Sequence, residues 1–235
     1  MVDRRGLKRL VAFDDRFLLV LKELEGFIDD FSNEREIKIL DTACGDGVYQ
    51  SLLDKQRRER VEFHGVDISS KQLGKAKGLL FKSLKQIDLD SQPLPFKDGF
   101  FDYVICSEIL EHLFYPEKLL SKIKRVLKKN GVILITVPNL GALQVRLGVF
   151  FSGFSPMVNY SLNKPHIRFF SAKDMFNLVK DTGLGCKRWY GTGSLLFAKW
   201  NAGFYLPMPR LFQMAANRYG KRFANGLLFV LRKGK

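Results

Sequence analysis

Two acidic residues and a histidine are grouped in the motif EILEH and could do proton chemistry. Glu108, Glu111 and His112 are spaced i, i+3 and i+4, which places them on one side of a helix. The chain has three histidines; His166 also falls where a substrate pocket is expected, whereas His64 lies inside a predicted strand. We expect His112 to act as a general base, with Glu108 beside it as a second catalytic residue. The alternative, that His112 caps or packs the helix, stays open.

The same group could instead bind a divalent cation. Glu108, Glu111, His112 and His166 offer two carboxylates and two imidazoles, and a bound ion would orient vicinal hydroxyls and lower the pKa of an acceptor. Acidic residues near a helix N-terminus are stabilising without any ion. Spacing does not define coordination geometry, so we assign no metal ligand from the sequence.

A glycine-rich loop and an acid follow the first two predicted strands. Gly45 and Gly47 in LDTACGDG permit a tight turn and a close approach of ligand to backbone. The next strand ends at Asp67, whose carboxylate can accept hydrogen bonds from both hydroxyls of a ribose. Val48 stands where a dinucleotide fingerprint has its last glycine. The pattern therefore indicates an adenosine-containing ligand without specifying which.

Alternating elements position these groups at one edge of a sheet. Strand–helix–strand repetition predicts a parallel sheet with right-handed crossovers and helices on both faces. The predicted strands are 37–43, 61–67, 84–88, 101–106, 132–138, 186–190 and 227–231. The predicted helices are 14–31, 48–57, 69–79, 109–129, 171–182 and 211–219, with Gly131 and Gly183 as helix stops and Ser171 as an N-cap.

Charge is distributed unevenly along the chain, whose net charge is +15. Residues 1–139 carry 24 Lys and Arg against 22 Asp and Glu, whereas residues 140–235 carry 15 against 2. The excess favours an anionic partner: a phosphate-bearing substrate, RNA or an anionic membrane surface. A basic surface that only keeps the protein in solution is the alternative. We expect no DNA partner.

The basic part is also aromatic, with 17 of the 30 aromatic residues after position 139. One helical face, beside Arg146, carries Leu143, Leu147, Phe150, Phe151 and Phe154. We expect this segment to fold over the pocket as a lid, with contact to a membrane interface as the second interpretation.

The cysteines and hydropathy indicate a cytoplasmic protein, with peripheral membrane association left open. Cys44, Cys106 and Cys186 are odd in number and far apart, which fits a reducing compartment. We find no signal-peptide pattern and no apolar run of about 18 residues. We expect one domain, 1–235, with an N-terminal helical segment at 1–36, a cofactor-binding core at 37–139 and substrate-side caps at 140–170 and 192–225.

Four ordered blocks resemble the class I, Rossmann-like S-adenosylmethionine-dependent methyltransferases, especially the branch of the ubiquinone-biosynthesis O-methyltransferases. The blocks are ILDTACGDG, GVDIS, DL followed by PLPFKDGFFDYVICSEILEHL, and LKKNGVILITVPN. They cover residues 37–139, and HIRFFSAKDMFNLVKDTGL extends the likeness to about residue 184. The resemblance implies an α/β fold with a doubly wound, mostly parallel seven-stranded sheet, helices on both faces and an antiparallel last strand. It also implies S-adenosyl-L-methionine as the cofactor.

The resemblance assigns the cofactor contacts residue by residue. It gives the methionine portion to Asp41, Ala43, Gly45 and Gly47, the ribose to Asp67, and the adenine to Ile68, Asp88 and Leu89, with Asp90 as a rival of Asp88. Ala43 departs from the family pattern, in which glycine is usual. The spacing of the EILEH motif and His166 also resembles that of metal-assisted members, although the motif occurs in members without a metal.

The expected reaction needs little catalytic machinery, because the sulfonium carries its own leaving group and the protein mainly aligns the acceptor. We expect O-methylation of a small or lipid-like acceptor, which can be anionic. The alternatives are an RNA methyltransferase, acting on a 2′-hydroxyl or a base, and a noncatalytic partner subunit. The intact acids Asp41, Asp67 and Asp88 argue against the last alternative.

Overall fold

The computed structural model of the chain describes residues 16–31, 36–152, 166–192 and 221–234. Its centre is a seven-stranded sheet in the order β3-β2-β1-β4-β5-β7-β6. The first five strands pair in parallel, and β7 is antiparallel to both β5 and β6. The strands are β1 (Ile37–Thr42), β2 (Val61–Asp67), β3 (Phe81–Gln86), β4 (Phe101–Ser107), β5 (Leu127–Pro138), β6 (Leu184–Thr192) and β7 (Gly226–Lys233). The predicted fold class is confirmed.

Helices cover both faces of this sheet. The α-helices are α1 (Arg16–Asp29), α2 (Val48–Leu52), α3 (Lys55–Glu59), α4 (Ser70–Ala76), α5 (Pro116–Val126), α6 (Leu143–Ser152) and α7 (Ala172–Asp181). Two short 3₁₀ turns, η1 and η2, span Leu110–His112 and Lys221–Phe223. Two apolar cores result, one on each side of the sheet.

Helix α1 packs on one face of the sheet through the periodic positions that its sequence predicts. Val20, Leu24 and Ile28 are fully buried in the core formed with β1, β4 and β5. The Phe27 ring lies 4.7 Å from the ring of Tyr103, centroid to centroid. Because this packing fixes the helix, it also fixes its first residue, Arg16, near the carboxyl ends of the strands.

The predicted helix 48–57 is two helices, and this expectation was wrong. Leu53 is extended, with a ψ of 141°, and ends α2. Asp54 then caps α3, accepting a hydrogen bond from the Arg57 amide at 2.9 Å. An aspartate at this position competes for backbone amides and so favours a new helix start over continuation.

Gly131 does not stop a helix, contrary to the prediction. Helix α5 ends at Val126, and β5 starts at once at Leu127, which pairs with Phe101. A Cβ on Gly131 would stand 2.7 Å from the Leu127 side chain, so glycine is required here by packing within the sheet. The run Lys128-Lys129-Asn130 has the composition of a helix end, but it lies in a register shift of β5, between the paired positions Leu127 and Val132.

Helix α7 begins and ends as predicted. Ser171 and Asp174 form a reciprocal capping box at its start, and Gly183 follows its end with a φ of 64°. The predicted strand 84–88 instead begins at Phe81 and ends at Gln86, because the pairing of β3 with β2 starts at Phe63. The predicted helix 211–219 lies outside the described residues.

Candidate functional site

A cavity of about 450 Å³ opens at the carboxyl ends of β1, β2 and β4. Parallel α/β sheets bind their ligands at this edge. Its wall is formed by Ala43, Gly45, Asp67, Ile68, Gln72, Ile87, Asp88, Leu89, Asp90, Glu108, Ile109, His112, Leu113, Phe114 and Ile167. Eight of the ten residues assigned from the sequence to cofactor or catalysis are among them; Asp41 and Gly47 lie behind the wall.

The glycine loop after β1 turns through left-handed backbone conformations. Ala43, Gly45 and Gly47 have φ values of 64°, 55° and 82°. A Cβ on Gly45 would meet nothing within 4 Å, so its backbone faces open space in the cavity. A Cβ on Gly47 would stand 2.6 Å from Leu79, so this glycine allows close packing of the loop. Ala43 occupies a conformation that suits glycine better.

The acid at the end of β2 is bound to the glycine loop. Asp67 accepts a hydrogen bond from the Gly45 amide through Oδ2 and another from the Ser69 amide through Oδ1, both at 2.8 Å. Each oxygen keeps a further lone pair for a ligand. The neighbouring Ile68 is 65% exposed and forms an apolar patch on the cavity wall.

Asp41 lies beneath the loop and is only 2% exposed. Burial raises its pKa well above the usual range, and the negative charge of Asp67 adds to the effect. A proton or a nearby cationic ligand group would therefore stabilise this carboxyl group.

Asp88 and Asp90, rivals in the sequence, have different surroundings. The Asp88 carboxylate accepts from the Asp90 amide at 3.0 Å and from the Ser91 hydroxyl at 2.6 Å. The Ser91 hydrogen bond is the main cause that lowers its pKa. The Asp90 carboxylate instead accepts from the backbone amides of Phe114 and Tyr115, at 3.0 and 3.3 Å. Asp90 thus holds the start of α5 in place, whereas the hydrogen-bond partners of Asp88 lie within its own loop.

Glu108 has a strained backbone and a partner that sequence reasoning missed. Its φ is 51°, a conformation that costs a non-glycine residue of the order of 1–3 kcal/mol. Its Oε2 accepts a hydrogen bond from the Arg16 guanidinium at 2.6 Å. Because Arg16 lies 92 residues away, at the first turn of α1, no spacing in the sequence indicates the pair.

The helix predicted to start at 109 begins only at Pro116, so the i, i+3, i+4 argument was wrong. Glu111 and His112 lie in the 3₁₀ turn η1. Burial raises the pKa of Glu111 to about 8, with the charge of Glu108 as the second cause. Glu111 is 1% exposed, and neither carboxylate oxygen has a hydrogen-bond partner among the described residues.

Glu111, His112 and His166 nevertheless come together. One ligand atom from each lies within 4.8 Å of the others, and the two imidazole centroids are 4.9 Å apart. Within the described part of the chain, Nδ1 of His166 is buried without a hydrogen-bond partner. Burial lowers the pKa of His166, and the neighbouring His112 adds to this, which favours the neutral imidazole. We call these three residues the acceptor cluster.

Backbone hydrogen bonds bring His166 to η1. The amides of Ile167 and Arg168 both donate to the carbonyl oxygen of Glu111, at 2.9 and 3.0 Å. The Arg168 guanidinium donates to the carbonyl of Phe114 at 2.6 Å. Ile167 thereby becomes part of the cavity wall, a role that nothing in its sequence context signals.

His64 has the structural role expected of it. It is 5% exposed in β2 and hydrogen-bonds to Ser83 at 2.7 Å and to Glu62 at 2.6 Å. Its ring also packs edge-on against Phe96, Phe100 and Phe101.

The described part of the predicted lid does not close the cavity. Helix α6 contributes none of the described residues that line it. Phe150 and Phe151 are instead 81% and 79% exposed. Phe154 and the remainder of this segment up to residue 165 lie outside the described residues, so the cap at 140–170 stays a prediction. None of the described helices combines the length and the apolar character needed to cross a bilayer.

Known proteins resemble this chain in sequence and in fold. The uncharacterized protein MJ0638 of Methanocaldococcus jannaschii is 33% identical over 139 residues, which are 58% of this chain and 56% of that protein. A demethylmenaquinone methyltransferase of Staphylococcus aureus is 30% identical over 135 residues, 54% of this chain and 55% of the enzyme. The chain thus matches only about half the length of these relatives. The structure of magnesium protoporphyrin IX methyltransferase from Synechocystis with bound SAH superposes with a TM-score of 0.60 at 14% identity, covering 92% and 83% of the two chains.

The family model of a methyltransferase domain matches residues 15–186, from the start of α1 into β6. That range includes the glycine loop, the acid after β2 and the acceptor cluster. The chain therefore belongs to the methyltransferase domain family, and it shares its fold with a methyltransferase whose structure holds SAH.

Proposed function

We propose that this chain transfers the methyl group of S-adenosylmethionine to an oxygen atom of a small or lipid-like acceptor. The observation that carries the proposal is the arrangement of one cavity with two unlike walls. The glycine loop, Asp67 and Asp88 line one wall, and Glu108 and His112 line the other. A cofactor and an acceptor that occupy the two halves would meet between them.

The first wall fits the cofactor by its chemistry. The exposed backbone of Gly45 accommodates the methionine portion without a Cβ in the way, and Asp67 accepts from the ribose hydroxyls. Ile68 packs on the adenine, and Asp88 accepts from its amino group beside the backbone of Leu89. Asp41 and Gly47 act from behind, by supporting the loop.

The second wall handles the acceptor and its proton. S-adenosylmethionine supplies a methyl group that is already bonded to a good leaving group, so the protein has to align the acceptor and take its proton. His112 is the base, and its Nε2 lies 4.0 Å from Oε1 of Glu111, an oxygen that can accept a hydrogen bond from the imidazolium when it forms. Glu108, fixed by Arg16, orients the acceptor hydroxyl.

The remaining wall residues support an apolar acceptor. Ile109, Leu113, Phe114 and Ile167 line the acceptor half, and the Phe114 side chain is 62% exposed there. Apolar pockets with few polar groups bind mainly hydrophobic ligands and orient them through those groups. The likeness to a demethylmenaquinone methyltransferase supports the same class of acceptor.

A divalent cation is a second way to activate the acceptor, and the acceptor cluster fits one. Glu111, His112 and His166 provide a carboxylate and two imidazoles, and their buried ligand atoms include three without a hydrogen-bond partner among the described residues. An ion held by them would lower the pKa of a coordinated hydroxyl. Glu108, the fourth residue of the sequence hypothesis, is engaged with Arg16 and falls outside the group.

The decisive experiment supplies the purified protein with the cofactor labelled in its methyl group, together with cell extract. The label is then partitioned among organic-soluble, RNA and small aqueous fractions, with chelator and without. We expect label in the organic phase; loss on chelation and recovery with added divalent ion would establish the cation. Label in RNA would overturn the acceptor class, and binding of cofactor without any labelled product would favour a noncatalytic partner subunit.

A further inference from the structure

A second cavity, of about 420 Å³, lies beside α6 and is lined by cations. Arg146, Lys173 and Arg222 contribute to its walls, and the described residues that line it include no acid. The other lining residues are Gly141, Ser171, Ala172, Phe176 and Asn177. We call this cavity the basic groove.

Specific contacts hold the Arg146 side chain and the backbone at Arg222 in place. Arg146 donates through Nε to the carbonyl of Gly141 at 3.0 Å, and its guanidinium stands 5.1 Å from the centroid of the Phe223 ring. The buried side-chain amide of Asn139 donates to the carbonyls of Arg222 and Ala224 at 2.9 and 2.7 Å. The turn η2 is thereby fixed next to the start of α6, so the basic groove is built before any ligand arrives.

An exposed aromatic pair adjoins the basic groove. The side chains of Phe150 and Phe151 are 81% and 79% exposed, with ring centroids 5.1 Å apart. Phe150 follows Arg146 by four residues, so both project from the same side of α6. Apolar rings beside long cationic side chains are typical of helices that lie in a membrane interface.

The basic groove lies at the same edge of the sheet as the catalytic cavity. Asn139 follows β5 directly, and the carboxyl ends of parallel strands meet at one edge. Ile167 lines the catalytic cavity and Ser171 lines the basic groove. Four residues of chain span at most about 14 Å. An acceptor dissolved in a membrane beneath the groove would therefore be close to the methyl group.

We propose that the basic groove and the Phe150–Phe151 pair form one docking surface for an anionic lipid bilayer. Lipid phosphates bind Arg146, Lys173 and Arg222, and the two phenyl rings enter the interface. Charge complementarity supports this occupant, since residues 140–235 carry 15 cations against 2 acids. RNA fits less well, because the two rings meet at 89° and offer no continuous platform for stacked bases. The inference goes beyond the proposed function and is tested without methyl transfer.

Vesicle co-sedimentation tests the docking surface on the full chain. The vesicles contain phosphatidylcholine alone or an equal mixture with phosphatidylglycerol. We expect binding to the mixed vesicles and a loss of about 100-fold in the variant R146Q/K173Q/R222Q, since each cation contributes roughly fivefold at an anionic surface. F150S/F151S should weaken binding to the same vesicles without removing its salt dependence.

The control variant K55Q/K97Q/K129Q removes the same charge from exposed positions elsewhere and should bind as the unmodified chain does. Circular dichroism and cofactor affinity show that each variant is folded. Equal binding to neutral and mixed vesicles, no binding at all, or equal losses in the control and groove variants would overturn the proposal. So would a groove variant that loses RNA in filter binding while keeping its vesicle affinity.

Discussion

The two halves of the catalytic cavity are built in opposite ways. On the cofactor side, short loops satisfy the polar groups: Asp67 binds amides of its own loop and of the neighbouring glycine loop. On the acceptor side, distant segments meet, as in the Arg16–Glu108 pair, and Glu111 keeps two carboxylate oxygens without hydrogen-bond partners among the described residues. In the first half, Asp67 is thus already fixed by hydrogen bonds within the chain. In the second half, an acceptor or an ion is the partner that we propose for the oxygens of Glu111.

This difference has an energetic meaning. A buried polar atom without a hydrogen bond costs roughly 1–3 kcal/mol. Such atoms in Glu111 and His166 lower the stability of the fold, and we attribute their presence to the chemistry that we propose for these residues. Cofactor-side substitutions should therefore act on binding, and acceptor-side substitutions on the rate of transfer. Four substitutions, taken from the largest expected effect to the smallest, can break or sharpen this division.

Asp67→Ala should have the largest effect and should act on cofactor binding. The substitution removes the carboxylate that we propose accepts hydrogen bonds from two ribose hydroxyls. It also leaves the Gly45 and Ser69 amides without this partner, so we expect cofactor binding roughly 1000-fold weaker. Isothermal titration calorimetry with the demethylated cofactor measures this. Asp98→Ala, at an exposed carboxylate paired with Arg125, is the matched control and should bind normally. Undiminished affinity in Asp67→Ala would remove Asp67 from the site.

His112→Ala should slow transfer roughly 100-fold and leave cofactor affinity unchanged, because the base is lost but the first wall stays intact. Single-turnover kinetics with labelled cofactor separates the two quantities. His64→Gln serves as the comparison, since that histidine is buried in β2 away from the cavity. We expect it to lower stability without changing the rate constant. Normal turnover in His112→Ala would show that His112 is not the base.

Arg16→Gln should reduce kcat/KM roughly tenfold, because Glu108 loses the guanidinium that holds its side chain at the cavity wall. A double-mutant cycle with Glu108→Gln measures the coupling directly. The control is Arg188→Gln, which breaks the exposed ion pair with Glu23 on the same helix. If both arginine variants lose the same activity, Arg16 acts only by anchoring α1.

Ala43→Gly should have the smallest effect and a stabilising one. The φ of 64° costs an alanine about 1 kcal/mol, part of which the greater unfolded-state entropy of glycine offsets. Chemical denaturation should show a free energy of unfolding that is higher by up to about 1 kcal/mol. Gly45→Ala, the reverse change at a φ of 55° in the same loop, should lower it. A destabilised Ala43→Gly variant would contradict the account of the loop.

The membrane surface and the catalytic cavity share one physical cause for their position. Both lie at the carboxyl ends of the strands, where the chain leaves the sheet and its loops are free to carry function. The sequence shows a cationic and aromatic second part, and it leaves two interpretations of Phe150 and Phe151: a lid over the pocket, which it favours, and contact with a membrane interface. Only their exposure in the folded chain separates a lid from a docking face.

The local features of this protein follow from its sequence alone. Alternating apolar segments determine the α/β sheet, positive-φ glycines determine the loop after β1, and Ser171 with Asp174 determines the start of α7. Such features depend on residues a few positions apart, whose backbone preferences act whatever surrounds them. The place of Asp67 at the end of a strand likewise predicts a ribose ligand, whereas Asp88 is predicted as an adenine ligand only through the resemblance to known methyltransferases.

Tertiary structure alone decided the features that join distant segments. It placed Arg16 on Glu108, buried Glu111 and brought His166 to it through backbone hydrogen bonds to η1. It also placed Gly131 in β5, within the register shift between the paired positions Leu127 and Val132, instead of at a helix end. These outcomes depend on packing and on hydrogen bonds across tens of residues, and no local pattern encodes which partners will meet.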